Sequence, residues 1–207
     1  MGLRDVLFGK NKLSEPQEDR LFALTTAAVT LETALGLKTA GAAAISFKPQ
    51  SSGEFRSAFD DVDQLVDAVA QQCGSKIERK TDQYGFDWMI VHDDQLEDLV
   101  GAAHTLSSEL TAKGFGSQLL AALFRFEGYE HPVYFIYGFK RGAWWPFIPA
   151  GKAERDNAKE LELKVYETLG VEPARTAADV TPIEANGGPP EAEQAAEASE
   201  PAAEAAA

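Results

Sequence analysis

Apolar side chains recur along this chain in two rhythms, and the alternation between them outlines a fold. Leu21, Leu24, Ala28, Leu31 and Leu35 fall at steps of three and four, which predicts an amphipathic helix stopped by Gly36. The short apolar run 41–47 predicts a strand, ended by the loop chemistry of residues 48–53. Phe59, Val62, Leu65, Val66 and Val69 make a second helical stripe ending at Gly74. Asp60, Asp61, Asp63 and Asp67 are expected near the start of that helix, where its dipole favours negative charge. Residues 76–80 and 86–91 predict a hairpin around the turn 82–85, with Phe86, Trp88 and Ile90 on one face of its second strand.

Asp93 and Asp94 are placed to cap the next helix, whose Leu96, Leu99, Val100, Ala103, Leu106, Ser107 and Leu110 form the clearest helical stripe in the chain. Gly114 and Gly116 end it. Residues 118–126, 131–139 and 143–148 then predict a three-stranded meander. Residues 118–123 also fit a helix, and the aromatic end of that run with its flanking glycines favours strand. Ala158, Leu161, Val165 and Leu169 predict a last helix, with Asp156 or Asn157 serving its free backbone amides. Helices that precede, interrupt and follow an antiparallel sheet define an α+β fold with the sheet packed against amphipathic helices.

Composition divides the chain into three parts. Residues 171–207 hold 5 prolines, 13 alanines, 8 acidic residues and one arginine, with no aromatic residue. Such a segment cannot bury enough apolar surface to order itself and is expected to be a disordered acidic tail. Of the net charge of -14, one basic minus eight acidic residues assigns -7 to this tail and leaves -7 for residues 1–170. Residues 20–170 are ample for one domain. Residues 1–19 form a leader in which Leu3, Val6 and Leu7 fall at helical spacing beside Phe8, with Arg4, Lys10 and Lys12 available to anionic headgroups. A flexible leader and weak contact with a membrane surface are the two readings of it.

An acidic chain without a basic patch repels phosphate backbones, which argues against nucleic acid as a partner. The apolar runs 118–124 and 131–139 fall far below the roughly 20 residues that cross a bilayer. The single Cys73 leaves no internal disulfide, and no signal-peptide pattern opens the chain, so a cytoplasmic protein is expected.

Catalytic patterns are missing from the sequence. His92, His104 and His131 lack metal-ligand spacing, Cys73 has no histidine beside it, and no G-x-S-x-G elbow occurs. The glycines of residues 113–117 follow a helix and lead into a strand, the reverse of a phosphate-binding loop, so they stop the helix. Asp93, Asp94, Glu97 and Asp98 fit a solvated helix start better than a catalytic pair. No enzyme activity, cofactor or metal is expected.

The meander is denser in information: Tyr134, Phe135, Tyr137, Phe139, Trp144, Trp145 and Phe147 crowd together beside Lys140 and Arg141. Core filling and a binding surface are equal alternatives for these rings. In the second, Tyr137, Lys140, Arg141, Trp144, Trp145, Phe147, Arg155 and Asn157 are the candidate partner-binding residues. The rival reading is a pocket for a small anionic ligand around Lys113, Arg141 and Arg155, in a ligand-binding protein or an enzyme of unknown reaction.

The segments 21–31, 82–88 (Asp-Gln-Tyr-Gly-Phe-Asp-Trp), 114–120 (Gly-Phe-Gly-Ser-Gln-Leu-Leu), 137–142 (Tyr-Gly-Phe-Lys-Arg-Gly) and 154–157 (Glu-Arg-Asp-Asn), with the start Met-Gly-Leu-Arg-Asp-Val-Leu-Phe-Gly-Lys, occur here in one order. Together they resemble the PspA-associated PspAB family over about residues 1–170, leaving the tail unmatched. The resemblance implies a non-enzymatic accessory of the phage-shock envelope stress response. It implies as partners a PspA-like membrane-remodelling coiled-coil protein and an HtpX-type membrane protease, and a place at the inner face of the cell membrane. The order of helices and strands is also similar, at the level of fold, to YbjN and type III secretion chaperones, in which a helix-backed antiparallel sheet binds partner segments.

Overall fold

The computed structural model describes residues 18–151 and 154–169. The expected leader (1–19) and acidic tail (171–207) lie outside the described residues, apart from Glu18 and Asp19. The elements follow as α1 (Ala23–Leu35), β1 (Lys38–Phe47), α2 (Gly53–Cys73), β2 (Lys76–Thr81), β3 (Asp87–His92), α3 (Leu96–Ala112), β4 (Leu119–Glu127), β5 (Val133–Gly138), β6 (Ala143–Phe147) and α4 (Arg155–Leu169). Short 3-10 turns at Glu18–Phe22 and Gly116–Gln118 lead into α1 and β4. The fold is α+β: an open six-stranded sheet, entirely antiparallel, in the order β2-β3-β1-β4-β5-β6.

Periodicity decides most of these elements. The stripe on α3 is buried at every expected position, and Leu24 and Leu31 anchor α1 beside Leu21. Of residues 118–123, ambiguous between helix and strand, Gln118 ends the 3-10 turn and 119–123 are extended. Leu119, Ala121, Ala122 and Leu123 pair with β1, and Gly138, Tyr137 and Ile136 of β5 complete the other side. A strand between two partners satisfies its backbone on both edges, which an isolated helix turn there would forfeit.

Three local expectations change. First, α2 begins at Gly53, well before its apolar stripe, because the Ser52 hydroxyl accepts the Phe55 N–H at 3.2 Å and Phe55 packs edge-on against Phe115 at 5.2 Å. The aspartates therefore stand in the middle of the helix instead of at its start. Asp63 and Asp67, one turn apart, together hold Arg79 of β2 at 2.6 and 2.7 Å, and Asp61 holds Lys113 at 3.1 Å.

Second, α3 is capped at Gln95, with no side-chain cap bond. Asp93 instead accepts the Gln95 N–H at 2.7 Å and the Ser75 hydroxyl, closing the turn between β3 and α3. Third, Asp156 and Asn157 lie exposed within the first turn of α4, not ahead of it. The loop before that helix is braced by Glu154, whose carboxylate accepts the Gly151 N–H at 3.3 Å and meets His131 at 2.8 Å.

All four helices contribute to one core with one face of the sheet. Ala43, Ile45 and Phe47 of β1, Met89 and Val91 of β3, Phe124 and Phe126 of β4, Phe135 and Tyr137 of β5 and Trp144 of β6 share that cluster with α1, α2, α3 and α4. Both sheet edges are blunted against pairing. β2 carries Lys76, Glu78, Arg79 and Lys80, and β6 is five residues long with a proline in it.

The β2–β3 turn is held by Asp82. Its Oδ1 accepts the Tyr84 and Phe86 N–H groups at 2.8 and 3.0 Å, and its Oδ2 accepts the Trp88 indole at 3.0 Å. Partial burial works against the Asp82 charge, but these donors outweigh it and hold the carboxyl below the ordinary aspartate range. A folded-state pKa depressed in this way stabilises the protein above the unfolded value of about 4, and the gain is lost as pH falls through the folded value. Asp82→Ala is expected to cost about 2 kcal/mol at pH 7, with the gap narrowing between pH 4 and pH 2. Urea midpoints at several pH values check this, and a gap independent of pH would show that the charge plays no part.

Candidate functional site

The register of the sheet sorts its side chains into two faces. The face away from the helices presents three rows that run from β2 to β6. The first is Lys76, His92, Ala42, Arg125, Tyr134 and Phe147; the second is Glu78, Ile90, Ala44, Leu123, Ile136 and Trp145; the third is Lys80, Trp88, Ser46, Ala121, Gly138 and Ala143. None of these residues belongs to the core cluster shared with the helices.

The rows are apolar at the centre and basic towards the β2 edge and in the first row. Lys76, Lys80 and Arg125 stand against a single carboxylate, Glu78, which is shared between Lys80 at 3.4 Å and His92 at 3.6 Å. Tyr134 and Phe147 lie half-buried with ring centroids 6.4 Å apart. The Trp145 ring crosses β5 directly over Gly138, where a Cβ would come within 2.8 Å of it. Gly138 is the one position in that row where the indole can lie flat on the strand.

This face also gathers unpaired polar atoms. Ser46 Oγ, Arg125 Nε and Trp145 Nε1 are buried without a hydrogen-bond partner among the described residues, and all three side chains belong to these rows. Buried polar groups are nearly always satisfied, so these three atoms mark where water or a partner group would bond to this face.

The expected contact residues divide between environments. Tyr137 and Trp144 belong to the helix-side core, at 0% and 3% exposure, which removes them from the candidate contact residues; Phe135 and Phe139 lie there too, so for these four rings core filling is the alternative that holds. The cause is the strand alternation: Trp144 packs on Tyr137 at 5.2 Å and Phe124 at 5.8 Å, and its indole donates to the Arg20 carbonyl at 3.0 Å. Trp145 and Phe147 project to the helix-free face. Lys140 and Arg141 lie exposed in the turn from β5 to β6, and Asn157 is exposed on α4; of Arg155 only the backbone is described. The membrane-contact residues Leu3, Arg4, Val6, Leu7, Phe8, Lys10 and Lys12 fall outside the described residues.

Two further groupings bear on chemistry. Glu130, His131 and Glu154 bring three possible ligand atoms within 4.8 Å of one another, a cluster no spacing in the sequence announces because it joins the β4–β5 loop to the start of α4. Glu154 is already committed there to His131 and the Gly151 amide, which makes the cluster a brace for that loop. A shallow cleft of about 180 Å³ lies beside the hairpin, between Phe47, Phe59, Trp88 and Lys80. Arg79 lines it but is held by Asp63 and Asp67, which also push its guanidinium pKa up against the opposing effect of burial. Lys113, expected in an anion pocket, is paired with Asp61. The Cys73 thiol is exposed, and its hydrogen bond with Asp98, aided by slight desolvation and the charges of Asp98 and Asp93, pushes its pKa up, away from a reactive thiolate. Among the described residues no helix is long and apolar enough to cross a membrane.

An open antiparallel sheet with its helices on one face and an apolar face on the other defines a helix-backed α+β protein of the sheet-surface type. The chain matches the family PspAB, PspA associated protein B, over residues 1–176, and it belongs to that family. No curated protein matches it.

Proposed function

We propose that the protein is a non-catalytic accessory of a PspA-type envelope stress response, and that it holds a PspA-like coiled-coil protein on the helix-free face of its sheet. The family's description, PspA associated protein B, supports the association. The observation that carries the choice of surface is the combination of apolar rows with three unpaired polar atoms on one face. A coiled-coil helix supplies what the face lacks: aliphatic side chains for the central row and carboxylates for Lys76, Lys80 and Arg125. The HtpX-type protease belongs to the same proposal as a second client of the complex.

Purified full-length protein titrated with the PspA-like protein of its own host tests this by calorimetry. Phe147→Ala is expected to weaken binding at least tenfold at an unchanged thermal midpoint, because a half-buried aromatic ring that a partner covers carries much of the binding energy. Leu163→Ala, an exposed apolar position on α4, is expected to leave affinity unchanged. No binding by the folded full-length chain, or equal effects of the two substitutions, would overturn the reading. A thermal shift produced by nucleotides or metabolites would favour a small-ligand protein instead.

A further inference from the structure

The brace between the β4–β5 loop and α4 is built from metal-ligating groups. One ligand atom from each of Glu130, His131 and Glu154 lies within 4.8 Å of the other two, and His131 Nε2 meets Glu154 Oε2 at 2.8 Å. Ligands of a tetrahedral zinc ion, each about 2.0–2.2 Å from the metal, stand about 3.4 Å apart, so small side-chain rotations bring the three atoms to that spacing.

Two of the three side chains are held in place. His131 precedes Pro132, which confines its backbone to extended conformations at the entrance to β5, and the Tyr129 ring stands edge-on to its imidazole with centroids 6.3 Å apart. Glu154 closes the turn into α4: its N–H donates to the Gly151 carbonyl at 3.1 Å, and its own carbonyl accepts the Ala158 N–H at 3.1 Å. The Gly151 N–H in turn donates to Glu154 Oε2 at 3.3 Å, the kind of outer hydrogen bond that orients a ligating carboxylate.

Charge favours a cation at this point. Two carboxylates stand beside one imidazole, and no lysine or arginine side chain among the described residues pairs with either. Glu130 is exposed and makes no hydrogen bond or ion pair among the described residues. Carboxylates this close repel, and a divalent cation between them offsets the repulsion. His92 and His104 each meet one carboxylate, Glu78 at 3.6 Å and Asp19 at 3.5 Å, and among the described residues neither gathers a third ligand atom as His131 does.

The geometry points to a divalent transition-metal site of the zinc class at Glu130, His131 and Glu154, with water in the remaining position. Imidazole disfavours magnesium and calcium, which take oxygen ligands, and a set without thiolate disfavours copper(I). His131 Nε2, the donor to Glu154 in the metal-free chain, turns its lone pair to the ion, with the ring proton on Nδ1. The ion replaces that hydrogen bond and clips the β4–β5 loop to the start of α4, whose Ala158 and Val165 enter the core. The site stands without the function proposed above.

Calorimetry with zinc chloride on the untagged, metal-stripped full-length chain tests it. One ion per chain is expected to bind, and Glu130→Gln and His131→Gln are each expected to weaken it at least tenfold. Glu130→Gln should keep the metal-free thermal midpoint, which separates lost ligation from lost folding. Zinc should raise the midpoint of the natural chain and slow amide exchange in residues 128–132 and in α4, and both effects should vanish in the variants. Cobalt(II) in place of zinc should give a spectrum without a thiolate charge-transfer band. Binding that does not saturate at one ion per chain, or that both substitutions leave unchanged, overturns the site. Loss of binding in Cys73→Ser or His92→Gln instead assigns the ion to another part of the surface and is equally fatal to it.

Discussion

Trp144→Ala is expected to lower stability by about 4 kcal/mol, enough to leave a domain of this size partly unfolded at ambient temperature. The ring is 3% exposed, touches Tyr137 and Phe124, and reaches across to the chain's first described turn through the indole bond to the Arg20 carbonyl. Its removal opens a cavity between β4, β5 and β6 and strands that carbonyl, so the transfer and cavity contributions add. Trp144→Phe, which keeps most of the volume and loses the hydrogen bond, should cost about 1–2 kcal/mol. Urea unfolding followed by circular dichroism measures both. A loss below 1 kcal/mol for Trp144→Ala would show that the ring is not held in the helix-side core.

Gly128→Ala is expected to cost about 3 kcal/mol although the residue is exposed. Its φ of 113° lies where only glycine is comfortable, and an added Cβ would overlap the Gly36 carbonyl oxygen and stand 2.9 Å from its carbon. The β4–β5 turn rests on the end of α1 at this point, backbone against backbone, so neither side can yield by rotating a side chain. Gly85→Ala serves as the comparison: its φ is also positive, at 79°, but nothing lies within 4 Å of its Cβ, and about 1 kcal/mol is expected. Equal losses at the two positions would mean that the contact with Gly36 contributes nothing.

The two predictions differ in how far the sequence announces them. A tryptophan in an apolar strand is a candidate for burial from its pattern alone, but its neighbour Trp145 has the same pattern, shifted by one residue. Strand alternation states that they face opposite ways and is silent on which side the helices take. Gly128 looks like an ordinary turn glycine, and its close contact with Gly36, far away along the chain, has no local signature. The Arg79 clasp by Asp63 and Asp67 and the meeting of Glu130, His131 and Glu154 are of the same kind.

What the sequence by itself determined is the kind and order of the elements: helical stripes at 21–35, 59–69, 96–110 and 158–169, alternating or apolar runs between them, and the α+β class that follows. These signals are local, because a period of 3.6 or 2 is written in adjacent residues and survives without knowledge of what packs against it. The dispersed motifs likewise carried the family, which the match over residues 1–176 bears out. Only the tertiary structure decided the rest. It placed β1 between β3 and β4, set all four helices against one face, and so turned Tyr137 and Trp144 inward while Trp145, Phe147 and Arg125 went to the other side. The reason is that sheet order and helix placement are chosen by contacts between distant segments, where the burial of one whole face outweighs the preference of any single residue.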